Sequence, residues 1–155
     1  MFPLSAVACL VLVASTTATD VLQCKGRSDS GLSESVTLTP CKRAPCRLKK
    51  GTNQHIKIDF TPDEPIAEVK NHVTAEVFNT ELPFVGVDGN SICGKLFTPD
   101  GEAASCPLKA GTKYVYKDSF PILSLYPNIA VRVRWSLKAK NKDIVCFEVP
   151  AKIVS

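Results

Sequence analysis

The sequence predicts an all-β fold, an antiparallel β-sandwich, on three observations. Apolar and polar residues alternate with period two in several separate runs. Clusters of Pro, Gly, Asp and Asn stand between those runs. No stretch carries the 3.6-residue apolar period of a helix, in a chain with eleven prolines against eight glycines. Short strands at this spacing are the pattern of a sandwich. The 155 residues fit one domain, and 45% apolar with 22% charged residues is globular composition rather than disorder. A net charge of +4, without a basic recognition motif, excludes nucleic acid as the expected partner.

In chain order, the first element is a leader. Residues 1–18 contain no Asp, Glu, Lys or Arg, and Leu4 to Ala14 is an apolar run of signal-peptide length. It falls short of the roughly 20 apolar residues that span a bilayer. Thr16 and Ala18 are the small residues expected before a cleavage point. The leader is therefore assigned to 1–18, the folded domain to 19–155, and the protein to a secretory route.

The strands follow. Val36 and Leu38 lie between threonines and give a short first run. His55 to Phe60 puts Ile56, Ile58 and Phe60 on one face. Val69, Val73, Ala75 and Val77 alternate with Lys70, His72, Thr74 and Glu76. From Val131 to Leu137 every odd position is apolar and every even one polar, which describes a half-buried strand. Ile144 to Val154 closes the chain with Val145, Phe147 and Val149 on one face. Turns are expected at Thr61–Pro65, Val87–Asn90, Thr98–Gly101 and Ala110–Gly111.

Cys9 leaves with the leader, so Cys24, Cys41, Cys46, Cys93, Cys106 and Cys146 remain. An even set in a secreted chain reads as three disulfides, whose connectivity the sequence alone does not fix. Cys41–Cys46 and Cys93–Cys106 close short loops easily, and a Cys24–Cys146 bridge would tie the first strand to the last. A zinc site is not expected. Four residues lie between Cys41 and Cys46, no second pair matches them, and His55 and His72 are remote from any cysteine. No metal or cofactor is assigned.

Enzymatic chemistry finds no support either. Gly26-Arg27-Ser28-Asp29-Ser30 lacks the final glycine of a nucleophile elbow. Both histidines fall on polar strand faces, and Asp63 and Glu64 sit in a Pro-flanked turn. There is no phosphate-binding or dinucleotide fingerprint. The basic residues Lys42, Arg43, Arg47, Lys49 and Lys50 surround the small Cys41–Cys46 loop. They suit contact with an anionic membrane surface, and equally a solvated turn.

Several longer stretches carry a resemblance. They are Leu38-Thr39-Pro40-Cys41, Pro45-Cys46-Arg47-Leu48-Lys49-Lys50-Gly51, Leu82-Pro83-Phe84, Cys106-Pro107-Leu108, Leu125-Tyr126-Pro127, and Val145 to Val154. With six cysteines in the same order, the chain resembles the ML (lipid-recognition) domain family over the whole of 19–155. Within it, the chain is most similar to the Niemann-Pick type C2 sterol-carrier group.

The resemblance implies an immunoglobulin-like sandwich with one lipid held between its sheets. It implies the pairing Cys24–Cys146, Cys41–Cys46 and Cys93–Cys106. It places Phe84, Ile122 and Tyr126 at the pocket mouth, Val131, Val133 and Trp135 deeper, and Phe147 where the family carries a tryptophan. On alternation alone Val131, Val133 and Trp135 are simply core. The implied function is a non-enzymatic, monomeric carrier that binds a sterol or other small apolar lipid and passes it to a membrane or an acceptor membrane protein. The alternative is extracellular carriage or recognition of fatty acids, microbial lipids or semiochemicals. Two departures bear on that choice: extra residues around Thr98-Pro99-Asp100-Gly101, and Val85-Gly86-Val87-Asp88-Gly89 in place of a proline-rich stretch. Residues 19–155 hold no Asn-x-Ser/Thr sequence for a glycan, so the expected location is extracellular, with lysosomal delivery as the other route.

Overall fold

The computed structural model describes residues 18–155, so the expected leader lies almost wholly outside the described residues. Two β-sheets face each other. The first contains β1 (Leu22–Gln23), β11 (Lys142–Val154), β10 (Ala130–Ala139), β5 (Lys70–Val77) and β6 (Thr80–Pro83) in that order. A further strand, β3 (Cys46–Lys49), joins the far stretch of β11. The second runs β2 (Val36–Thr39), β4 (Asn53–Phe60), β9 (Tyr114–Pro121), β7 (Leu96–Phe97) and β8 (Ala103–Ala104). All pairings among the named strands are antiparallel except β3 with β11, which is parallel. A single-turn helix, α1 (Leu32–Ser35), precedes β2. Neither the parallel pair nor the turn of helix is visible in the alternation.

The period-two faces become the core. On β10, Val131, Val133, Trp135 and Leu137 are buried; on β11, Val145, Phe147, Val149, Ala151 and Ile153 are. Trp135 pairs with Phe147 on one side and Val73 on the other, which puts β10 at the centre of its sheet. The opposing layer is supplied by Ile56, Ile58 and Phe60 of β4 and by Tyr114, Tyr116 and Phe120 of β9. The chain is anchored from its first described residues. Thr19 is fully buried; its hydroxyl accepts from the Leu38 N–H and donates to the Cys41 carbonyl, each at 2.7 Å.

All three disulfides form as the resemblance implies: Cys24–Cys146, Cys41–Cys46 and Cys93–Cys106. They tie β1 to β11, β3 to the chain that follows β2, and the loop before β7 to the chain that follows β8.

On the outer face, Asp143 gathers charge where β10 returns as β11. Burial opposes its ionisation. The Ser136 hydroxyl at 2.6 Å and the charges of Lys138, Arg134 and Arg27 together outweigh that, and the net effect holds the carboxyl below its ordinary value. A depressed pKa means the folded state binds fewer protons than the unfolded one in that range. Asp143 therefore stabilises the fold above about pH 4, and that contribution is lost as pH falls through its lowered value. Asp143→Asn is expected to lower stability by about 1 kcal/mol at neutral pH. Urea titrations of both proteins should show the gap closing below about pH 4; a gap independent of pH would assign the loss to something other than the charge.

Candidate functional site

Between the two sheets lies a narrow cavity of about 30 Å³. The first sheet contributes Val133 and Trp135 from β10, Phe147, Val149 and Ala151 from β11, and Leu48 from β3. From the second come Leu38 of β2, Gln54 of β4 and Phe120 of β9. Phe84, just after β6, and the Cys41–Cys46 bridge complete the wall. Each strand residue is there because its alternation phase points inward. Every lining side chain except Gln54 is apolar, aromatic or disulfide sulfur.

Five rings form a continuous path through this region. Tyr126, half-buried, meets Phe84 edge-on at 5.8 Å. Phe84 meets Phe120 at 5.8 Å, again edge-on, and Phe120 meets Trp135 at 5.4 Å. Trp135 stacks on Phe147 at 6.3 Å with the planes 7° apart. The rings run from the surface at Tyr126 to the fully buried Phe147. The edge-to-face contacts of Phe84 are attractive beyond their area but carry no hydrogen bond, so the Phe84 and Phe120 rings can slide without stranding polar groups.

Further along β9 the sheets are clasped by polar bonds. The Trp135 indole N–H donates to the Asn71 amide oxygen at 3.0 Å. The Asn71 amide nitrogen donates to the Tyr116 hydroxyl at 2.9 Å, joining β5 to β9. Tyr116 donates to Asp118 at 2.6 Å, and Asp118 is paired with Lys95 at 2.9 Å. Burial, reinforced by the Asp118 carboxylate, drives the Tyr116 phenol far above its usual range and keeps it protonated as the donor. Burial also raises the Tyr126 phenol.

Of the seven residues expected to meet lipid, Phe84, Val133, Trp135 and Phe147 line this cavity. Ile122 is buried beside it, with its N–H on the Thr52 carbonyl and its own carbonyl taking the Gly51 N–H. Tyr126 stands outside, behind Phe84, and its hydroxyl donates to the Val85 carbonyl at 3.2 Å. Val131 is buried on β10 opposite Ala151 and does not reach the cavity wall. Sequence reading missed Leu38, Leu48, Gln54, Phe120, Val149 and Ala151 as wall residues. The alternation of β11 could have yielded Val149 and Ala151.

Pockets that enclose small molecules usually hold about 300–1,000 Å³. A lipid therefore needs the walls of this cavity to part. The aromatic end, closed by ring contacts, can open more readily than the Asn71–Tyr116 clasp.

Among the described residues, no cluster of three or more His, Cys, Asp or Glu is arranged to hold a metal ion, and no helix is long and apolar enough to cross a membrane. His72 lies beside Asp88 at 3.2 Å, away from the cavity, and His55 is exposed on β4.

The family model for the ML domain matches residues 18–153. The ecdysteroid-regulated 16 kDa protein of Manduca sexta is 30% identical, over 92% of this chain and 94% of that protein. The NPC intracellular cholesterol transporter 2 homolog a of Drosophila melanogaster is also 30% identical, over 99% of each chain. Among solved structures, a Niemann-Pick type C2 protein from the Japanese carpenter ant superposes with a TM-score of 0.65. It is 23% identical over 77% of this chain and 89% of its own.

Proposed function

The chain belongs to the ML-domain family, lipid-binding carriers rather than enzymes, and on that premise we propose that it binds one sterol-like lipid between its sheets and transfers it to a membrane or an acceptor protein. The observation that carries this reading is the apolar inter-sheet cavity reached through the ring path from Tyr126 to Phe147. Apolar burial contributes about 25 cal/mol per Å², and a sterol offers enough area to offset both wall opening and its own ordering. The names of the insect and mammalian cholesterol transporters, 26–30% identical to this chain, support the sterol class. Three disulfides and the apolar leader support a secretory route for the proposed carrier.

Native mass spectrometry of the oxidised 19–155 chain tests this. Cholesterol and a long-chain fatty acid are offered in competition. A one-to-one cholesterol adduct in excess is the expected result. Fatty-acid preference moves the function to a broader extracellular lipid carrier, and no adduct with either overturns the carrier reading.

Delivery to a membrane draws on the surface around the mouth. Leu82, Val85 and Leu125, chain neighbours of Phe84 and Tyr126, are exposed. At the β5–β6 turn, Phe78 is 90% exposed with φ +49°, followed by Asn79 at +62°. The two-residue hairpin turn demands the left-handed region at both positions, which Asn79 meets readily and a bulky ring does not, and the exposed Phe78 ring is a candidate for contact with lipid. Lys42, Arg43, Arg47 and Lys49 are also exposed, and none is paired with a carboxylate among the described residues. Each basic residue near an anionic surface contributes about 1 kcal/mol. The double variant Lys42→Gln/Arg43→Gln is expected to bind phosphatidylserine vesicles about thirtyfold more weakly at low salt. The difference should shrink as salt rises. Co-sedimentation unchanged from the parent protein would remove this basic loop from the membrane contact.

A further inference from the structure

Gln54 breaks the chemistry of the cavity. It occupies the inward phase of β4, in register with Phe120 of β9, where Ile56, Ile58 and Phe60 continue the same face. It is 6% exposed and lines the cavity. Its only hydrogen-bond partner among the described residues is Thr52, 3.4 Å from its amide nitrogen. That is beyond the usual 2.7–3.2 Å. The Thr52 hydroxyl proton is already committed to the Lys49 carbonyl at 2.6 Å, so Thr52 accepts from Gln54 and gives nothing to its oxygen. The amide oxygen and the second amide proton have no partner among the described residues. Neither is sealed off: among the described residues the fully enclosed side-chain atom without a partner is Asp59 Oδ1, so Gln54 offers the cavity a polar group rather than stranding one.

Resting on the lipid-carrier reading above, we infer that Gln54 is the polar anchor of the cavity and selects apolar ligands bearing a neutral hydroxyl. A hydroxyl both donates and accepts, which matches the two free functions of a carboxamide. An ionised carboxylate does not fit as well. No Lys, Arg or His lines the cavity, and a buried charge without a counter-ion is heavily disfavoured. Gln54 stands opposite Phe120 in the β4–β9 register. The hydroxyl-bearing end of the ligand therefore sits beside Gln54 and Phe120, with the hydrocarbon body along the remaining rings. Sterols and long-chain alcohols share this chemistry.

The experiment separates the two sources and the two failures. Native mass spectrometry of the oxidised 19–155 chain offers cholesterol against 5α-cholestane, which lacks only the hydroxyl and the ring double bond. In parallel, hexadecanol is offered against hexadecane and against palmitate. The parent protein is expected to favour the alcohol about tenfold in at least one alcohol–hydrocarbon pair, and hexadecanol over palmitate by a similar factor. Gln54→Leu should bring the alcohol-to-hydrocarbon ratio close to one while still binding hydrocarbon. Gln54→Met serves the same purpose should the leucine variant fail to show a cooperative melt. A ratio that is the same in parent and variant overturns the inference, as does palmitate competing evenly with hexadecanol. A parent protein that binds none of the five probes overturns the carrier reading itself, and the inference with it.

Discussion

Cys24→Ala/Cys146→Ala is expected to lose about 5 kcal/mol of folding stability. The bridge closes a loop with a sequence separation of 122, and loop-closure entropy in the unfolded chain rises with the logarithm of that length. Domains of this size are stable by about 5–15 kcal/mol, so the loss threatens the folded population at physiological temperature. Alanine is the right replacement because Cys146 is fully buried and Cys24 nearly so. A serine hydroxyl there would add a desolvation cost of its own. The same argument orders the other bridges: about 3 kcal/mol for Cys93–Cys106, separated by 13, and less for Cys41–Cys46, separated by 5. Urea unfolding under oxidising conditions checks the series. The double-alanine protein should show a lower midpoint and a steeper dependence on urea, because its unfolded chain is more expanded. An unchanged midpoint, with only the short strand β1 fraying, would show that the long loop is not what this bridge restrains.

The long strands of the sandwich are the ones that the alternation identifies well. Val131 to Leu137 lies within the central strand β10, and Val145, Phe147 and Val149 face inward from β11. Alternation survives there because the odd positions meet the opposite sheet, while the even ones carry mostly polar groups on the outer face, where Ser136, Cys146 and Glu148 are nonetheless buried. Where the pattern fails, a specific interaction has replaced burial. Asp118 occupies the inward phase of β9 between Tyr116 and Phe120, held by the Tyr116 hydroxyl and by Lys95. That charge hides the run, and with it Phe120 as a wall residue. Gln54 likewise interrupts the start of β4. The parallel pairing of β3 with β11 joins Cys46 to Ala151 across most of the chain, and local pattern carries no signal for such a pairing. Two-residue strands such as β1, β7 and β8 are too short to alternate at all.

Alternation also says which face is inward but not how far apart two inward faces stand. That spacing decides whether Trp135 is core or wall, and here it leaves about 30 Å³ between them. The resemblance to carriers named residues around one end of the sandwich. It did not separate Phe84, which lines the cavity, from Tyr126, which backs it, or from Val131, which does neither.

Phe84→Ala can separate wall from core by experiment. The ring is 5% exposed, held edge-on between Phe120 and Tyr126, and the Phe84 N–H is fixed to the Val73 carbonyl at 2.9 Å. Because the backbone is pinned, the sheets cannot close over the missing ring, and truncation should lower stability by about 3–5 kcal/mol. Loss of stability alone therefore proves nothing about lipid. Ile58→Ala supplies the control: Ile58 is fully buried on β4, pairs with Tyr116, and does not line the cavity. Its truncation is expected to lower stability by about 2–5 kcal/mol and to leave cholesterol affinity of the folded fraction within about twofold. Phe84→Ala removes ring area that would lie against the ligand, and its affinity should fall about tenfold, or about 1.4 kcal/mol. Tyr126→Ala, at a half-buried ring behind Phe84, should disturb stability least of the three while still loosening the mouth. Binding titrations well below each melting temperature provide the comparison. Equal affinity losses in the Phe84 and Ile58 variants would return Phe84 to the core and leave the cavity without a lipid-contacting wall at its aromatic end.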